Sequence, residues 1–208
     1  MQVNVVDHPL IKIKLAICRD KRTKTMEFRN AINQIGTLMA FEVLKDFPVL
    51  ENEVETPLEK TVGYVEKKEL CLMPIMRAGM GFCDGFLRVV PDAHVGLIGL
   101  KRDEKTLQPH FYYFNVPPNR DAYYVVLDPM LATGGSAVDC ISRLKEVGVK
   151  DIRFMCLVAA PQGVEALNKA HPDVKIYAAV LDRELNDVGY ILPGLGDAGD
   201  RIFGTVIK

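Results

Sequence analysis

No CxxC pair occurs in this chain. The five cysteines, Cys18, Cys71, Cys83, Cys140 and Cys156, are odd in number and widely spread, so they build no disulfide framework. Most stand among apolar residues, which predicts buried free thiols and a reducing, cytoplasmic setting. The four histidines show no metal-ligand spacing. Charge of one sign is also missing. The formal net charge is -1, which excludes a global basic field for nucleic acid or for an anionic membrane. A polyanionic ligand would have to be held by local groups. No apolar run reaches transmembrane length, and the N-terminus lacks the basic start and apolar stretch of a signal peptide. Repeats, low-complexity tracts and linkers are absent too. What remains is a 208-residue chain, 49% hydrophobic and 25% charged, of a size and composition expected for one globular domain over residues 1–208.

Apolar periodicity organises that domain. Phe28, Ile32, Ile35, Met39 and Val43 recur at helical steps and predict a helix over 24–45, with Thr25 as a cap. The charged segment 51–68, broken by Pro57 and Gly63, reads as an extended arm or hairpin on the surface. Strand-length apolar runs follow at Leu70–Met76, His94–Leu100, Tyr123–Leu127, Phe154–Ala159 and Lys175–Leu181. Helical stretches fall between several of them, at 80–90, 136–147 and 162–170, and Gly148 ends the second. Short continuous apolar strands alternating with helices predict an α/β fold, a mostly parallel sheet covered on both faces. Ligands of such sheets sit beyond the carboxyl ends of the strands. Chemistry is therefore expected in the loops after Met76, Leu100, Leu127 and Leu181.

The loop after Leu127 reads Asp128-Pro-Met-Leu-Ala-Thr133-Gly134-Gly135-Ser136 and opens a helix. Two glycines let backbone N–H groups converge, the helix adds its positive end, and Thr133 and Ser136 supply hydroxyls. That is a phosphate cradle. No lysine follows the glycines, which excludes a Walker loop. Ser136 also fits a helix cap with Asp139 completing a capping box, and both roles are compatible. Asp128, at the strand end, suits ribose hydroxyls or a developing positive charge, although an ordinary turn also takes an aspartate there.

The segment VVLDPMLATGGSA, from Val125, resembles the phosphoribosyl-pyrophosphate motif of the type I phosphoribosyltransferases, in the form used by the uracil phosphoribosyltransferase family. Most type I relatives carry two adjacent acids, whereas Pro129 takes the second place here, as in the uracil subfamily. The resemblance runs from His8-Pro-Leu-Ile to Thr205. It implies the type I fold: a central, mostly parallel sheet flanked by helices, an extended β-arm at about residues 46–68 and a base-binding hood at 182–208. It implies that Asp128, Pro129, Met130, Leu131, Ala132, Thr133, Gly134, Gly135 and Ser136 bind phosphoribosyl pyrophosphate. Arg77, in a turn with Gly79 and Gly81, matches the family's pyrophosphate loop. Arg102, in the charged run 99–109, matches a mobile loop that reaches the diphosphate. Asn115 stands where relatives usually carry lysine, so that lysine's role is missing here.

The tail contains a literal GxGxxG from Gly194 to Gly199, but only nine residues follow, too few for a dinucleotide fold. A glycine-rich loop whose backbone meets a small planar ligand reads better. By resemblance this is the uracil site, lined by Ile191, Gly196, Asp197 and Ala198, with Asp197 also near the pyrophosphate substrate or its metal. The implied reaction is uracil plus phosphoribosyl pyrophosphate giving UMP and diphosphate. Mg²⁺ rides mainly on the substrate diphosphate, and Asp128, Arg102 and Asp197 act at the reacting centre. No general base is assigned, with Asp197 and Asp200 the candidates. Alternatives are a transferase for another base, where only Arg201 could receive orotate's carboxylate, and an RNA-binding regulator on the same fold. A homodimer or homotetramer and activation by GTP are further implications of the resemblance.

Overall fold

The computed structural model describes residues 2–102 and 109–205. A two-residue strand β1 (Asn4–Val5) leads into helices α1 (Pro9–Arg19) and α2 (Thr25–Val43). The hairpin β2 (Val49–Glu55) and β3 (Lys60–Glu66) follows, then β4 (Leu70–Met76). A 3₁₀ turn at Ala78–Phe82 runs into the short helix α3 (Cys83–Leu87). Next come β5 (His94–Val95), β6 (Leu97–Arg102), β7 (Pro109–Asn115), β8 (Tyr123–Leu127) and β9 (Met130–Leu131). Helix α4 (Gly135–Glu146), β10 (Ile152–Ala159), α5 (Pro161–Ala170) and β11 (Lys175–Leu181) complete the α/β alternation. The tail holds β12 (Glu184–Leu185), β13 (Ile191–Leu192) and α6 (Ala198–Phe203).

The main sheet runs β1-β11-β10-β8-β4-β6-β7, with β5 beside β4 and β9 beside β10. Its pairs are parallel except β6–β7. Side chains of a strand alternate between faces, and β8 shows the consequence. Tyr123, Val125 and Leu127 join one core with α1, α2 and α6, while Tyr124 and Val126 join a second core with α4 and α5. Both faces are dry, which is why this strand reads YYVVL without polar alternation. The two tyrosines keep their hydroxyls satisfied. Tyr123 donates to Val43 O or Asp46 Oδ1 (2.9 and 2.7 Å), and Tyr124 to Asn119 O (2.8 Å). Burying one such side chain contributes roughly 1.5–3 kcal/mol. The order of strands carries the ends of β4, β6 and β8 to one edge, where the site lies.

Several boundaries differ from the sequence reading. Helix α2 stops at Val43, and Lys24, with no side-chain cap bond, precedes it; Thr25 is its first residue. In place of a helix over 80–90, a 3₁₀ turn (Ala78–Phe82) and one short helix (Cys83–Leu87) form. The run 94–100 is split at Gly96, whose N–H donates to Leu72 O (2.9 Å). A Cβ there would stand 2.5 Å from Met73 Sδ and 2.6 Å from Asn115 O, so only glycine fits. The segment 51–68 is the β2–β3 hairpin, exposed along nearly its whole length. All five cysteines are free, four of them buried. No described helix is long and apolar enough to cross a membrane.

Candidate active site at the carboxyl edge of the sheet

A cavity of about 380 Å³ opens where the ends of β4, β6 and β8 meet the tail. Two of the expected loops, after Met76 and Leu127, and the tail after Leu181 contribute to it, with Leu100 added from β6. Asp128, Met130 and Ala132 line it while Pro129 and Leu131 do not, a strand-like alternation. The intervening residues serve the sheet. Pro129 O accepts from Leu157 N and Val158 N (3.0 Å each), and Leu131 O accepts from Ala160 N (2.9 Å). Ser136 completes the lining from the first turn of α4. The first intrahelical bond is Val138 N to Gly134 O (2.9 Å), so the N–H groups of Gly135, Ser136 and Ala137 precede the helical ladder. These are the donors that a phosphate takes at a helix start.

The helix cap is Gly134, at φ 84°, so Ser136 stands inside the first turn of α4 and not at the cap position. Gly134 also has a packing role. A Cβ on it would point at α5, 2.8 Å from Gly163 O. In turn a Cβ on Gly163 would stand 2.5 Å from the carbonyl oxygens of Leu131 and Ala132. The two glycines let the cradle rest on α5. Thr133 is exposed and Gly135 half-buried, and neither lines the cavity.

Asp128 sits on the cavity floor, part of its surface open to it. Removal from water pushes its carboxyl up to about 7, opposed by the N–H that Met130 donates to it at 3.3 Å. Arg77 lies at the end of β4, after a cis Met76–Arg77 peptide. Its guanidinium is half exposed, pairs with Asp200 (3.3 Å) and lies over the Phe203 ring at 5.7 Å. Gly79 is the second residue of the 3₁₀ turn that follows Arg77. It is buried against Leu127 O, where a Cβ would clash. Gly81 meets Ile202 of α6, again a packing role.

The tail is fastened from behind by α1. Arg19 makes two bonds to Asp182 (2.9 and 2.6 Å) and a third to Gly194 O (2.8 Å), while Gly194 N–H donates to Asp182 (2.9 Å). Arg201 donates to Leu195 O (2.8 Å), Asp20 O (2.7 Å) and Cys18 O, and lies over the Phe28 ring. It is thus committed to the backbone of the tail and of the end of α1 and is not a free cation for a ligand carboxylate. Asp197 lines the cavity while one of its oxygens accepts from Asp200 N–H (2.9 Å) at the start of α6. Asp200 is not in the lining, and its carboxylate is taken up by Arg77 and Thr205.

Of the residues expected at the site, Arg77, Asp128, Met130, Ala132, Ser136, Ile191, Gly196, Asp197 and Ala198 meet in this cavity. Arg102 ends β6 opposite Pro109, and its side chain, with the run 103–108, lies outside the described residues. Asn115 pairs with Leu97 at the far end of β6 and has no part in the lining. Val188, Gly189 and Tyr190 line the cavity and were not foreseen. Their signal was two large apolar residues beside a glycine in an otherwise polar loop.

The family model described as uracil phosphoribosyltransferase matches residues 5–205. The chain belongs to the uracil phosphoribosyltransferase family. A uracil phosphoribosyltransferase of Geobacillus sp. (strain WCH70) is 56% identical over 206 residues, 98% of this chain and 99% of that one. One from Acidovorax ebreus (strain TPSY) is 55% identical over 205 residues, 98% of each chain. A solved protein structure from Aquifex aeolicus superposes with a TM-score of 0.93 at 36% identity, covering 100% of both chains. A hypoxanthine phosphoribosyltransferase from Staphylococcus aureus, at 11% identity, TM-score 0.52 and 76% of each chain, shares the fold alone. For this family member the type I fold expected from the motifs therefore holds, a mostly parallel central sheet flanked by helices.

Proposed function

We propose that this chain transfers the phosphoribosyl group of 5-phosphoribosyl 1-diphosphate to uracil, giving UMP and diphosphate. The observation that carries the reading is one cavity shared by the α4 cradle, Arg77 and the glycine-rich tail. The N–H groups at the start of α4, with the hydroxyls of Thr133 and Ser136, hold the 5′-phosphate. Gly134 and Gly135 keep that turn open, and Pro129 and Leu131 tie it to the sheet. Asp128 holds the ribose hydroxyls and faces the positive charge that grows on the ring. Arg77 and Arg102 take the charge of the departing diphosphate. Ile191, Gly196, Asp197 and Ala198 hold the pyrimidine with its attacking nitrogen toward the sugar. The enzyme's contribution is orientation and charge stabilisation.

Among the described residues no three His, Cys, Asp or Glu side chains form a metal cage. The lining does offer the carboxylates of Asp128 and Asp197 and neither cysteine nor histidine, which fits a hard cation held mostly by substrate oxygens. Mg²⁺ supplies charge neutralisation on the diphosphate when bound. The engagement of Arg201 favours an uncharged base over orotate. The deciding assay is UMP formation from uracil with and without Mg²⁺, expected only with the metal. Comparable turnover of orotate or hypoxanthine would overturn the choice of base. The same assay with GTP tests the activation that family membership suggests. The chain works as a homodimer or homotetramer, for which the exposed β2–β3 hairpin is an available contact, and light scattering gives its mass.

A further inference from the structure

Strands β12 and β13 pair through only two residues each, Glu184 with Leu192 and Leu185 with Ile191. Such a hairpin has little stability of its own. Between its strands lies a turn, 186–190, with almost no core burial: Asp187, Val188 and Tyr190 are exposed, and Asn186 and Gly189 are half-buried. Hydrogen bonds therefore replace packing, and they centre on Asn186. Its Oδ1 accepts from Val188 N–H (3.2 Å) and Tyr190 N–H (2.8 Å). Its backbone N–H donates to Tyr190 O (2.8 Å), and its carbonyl accepts from Gly189 N–H (2.9 Å). Gly189, at φ 84°, supplies the left-handed step that closes the ring.

The far side of this turn is a wall of the cavity, made by Val188, Gly189 and Tyr190. Val188 is 76% exposed and Tyr190 47%, large apolar side chains left open at a cavity mouth. Apolar surface does nothing for a diphosphate, but it does cover a flat, uncharged ring.

We propose that Asn186 is a positioning residue for the base: its side-chain amide holds the Val188–Tyr190 wall against the pyrimidine without touching it. This rests on the assignment of the tail as the base site. Loss of the Asn186 acceptor frees the wall, so uracil binds less well while the phosphate cradle, on α4, is unaffected. Asn186→Ala raises the KM for uracil about tenfold or more, in the range that a misfitted pocket costs. Turnover at saturating uracil, phosphoribosyl pyrophosphate affinity by calorimetry and the melting temperature stay near those of the unaltered protein. Asn186→Asp keeps an acceptor oxygen for both N–H groups and restores most of the uracil KM. Gly189→Ala perturbs the same turn independently: its Cβ meets nothing within 4 Å, so only the backbone angle is strained. It raises the uracil KM in the same way. Unchanged uracil KM in both Asn186→Ala and Gly189→Ala, no recovery in Asn186→Asp, or an equal loss of phosphoribosyl pyrophosphate affinity overturns the proposal. Failure of the unaltered protein to use uracil at all overturns the base assignment instead.

Discussion

At the scale of single residues, two of the charged groups in the cavity, Arg77 and Asp128, lead to opposite expectations. Arg77 is half exposed and touches the fold through weak contacts with Asp200 and Phe203. Arg77→Ala should leave the melting temperature within about 2 °C, as surface changes do. Its loss removes charge-assisted bonds worth roughly 1.5–3 kcal/mol, so calorimetry should show phosphoribosyl pyrophosphate binding more than about tenfold weaker. Asp128 behaves differently, because burial raises its carboxyl to about 7. Below that pH the free protein holds a proton that ribose binding through the carboxylate must displace. Affinity for phosphoribosyl pyrophosphate should rise from pH 6 to pH 8, and in Asp128→Asn it should be weak and flat across that range. The folded protein also binds more protons than the unfolded chain between about 4 and 7, so Asp128 costs stability as pH rises through that window. Asp128→Asn should accordingly melt several degrees higher at pH 8, a few degrees per kcal/mol for a chain of this size. Sequence pattern placed both groups at the site, because each ends a strand whose apolar run is unmistakable. It could not tell that Gly134 answers to α5 and Gly79 to β8, since a glycine looks the same whether a ligand or a neighbouring backbone forbids its Cβ.

At the scale of elements, α1 has an unforeseen task. No element is predicted over residues 9–19 from the sequence, yet the last residue of this helix, Arg19, reaches Asp182 and Gly194 at the other end of the chain. The Asp182 side chain is only 3% exposed, so removal of its cation strands a buried carboxylate. Arg19→Ala should destabilise the protein by about 3–5 kcal/mol and loosen the loop at Gly194. Thermal denaturation and uracil kinetics on that variant should both move, with the uracil KM raised and the phosphoribosyl pyrophosphate affinity nearly kept. A fall in stability with normal uracil kinetics would show that α1 supports the fold but not the pocket. Helices α2, α4 and α5 and the central strands were legible within a few residues, because burial on one face or both writes itself into apolar spacing. The break at Gly96 and the 3₁₀ turn after Arg77 were not, because contacts across the sheet decide them.

At the scale of the whole molecule, the edge opposite the site is pinned by Asp46. Burial opposes its charge, but hydrogen bonds from Lys175 and Tyr123, with Arg153 nearby, prevail and hold the carboxyl down at about 2. A depressed carboxylate stabilises the fold above its unfolded value of about 4 and loses that contribution as pH falls through about 2. Urea denaturation of Asp46→Asn should show a loss on the order of 1 kcal/mol at pH 7, modest because the site is part-exposed, and a shallower decline between pH 4 and pH 2 than in the unaltered protein. An equal decline in both would place the acid sensitivity elsewhere. This network joins the end of α2 to β8, β10 and β11, and nothing in the local sequence around Asp46 announces it. The sequence by itself determined the α/β alternation, the two-faced core and the glycine-rich loop that opens α4 at the cavity, because hydrophobic spacing and the glycine, hydroxyl and acidic residues of one loop are local in the chain. Tertiary structure alone decided that Arg19 and Arg201 serve the tail, that Val188 and Tyr190 wall the cavity, and that alternate residues of 128–132 divide between cavity and sheet. Those outcomes depend on which distant segments a folded chain brings within hydrogen-bonding reach, and no stretch of sequence contains that distance.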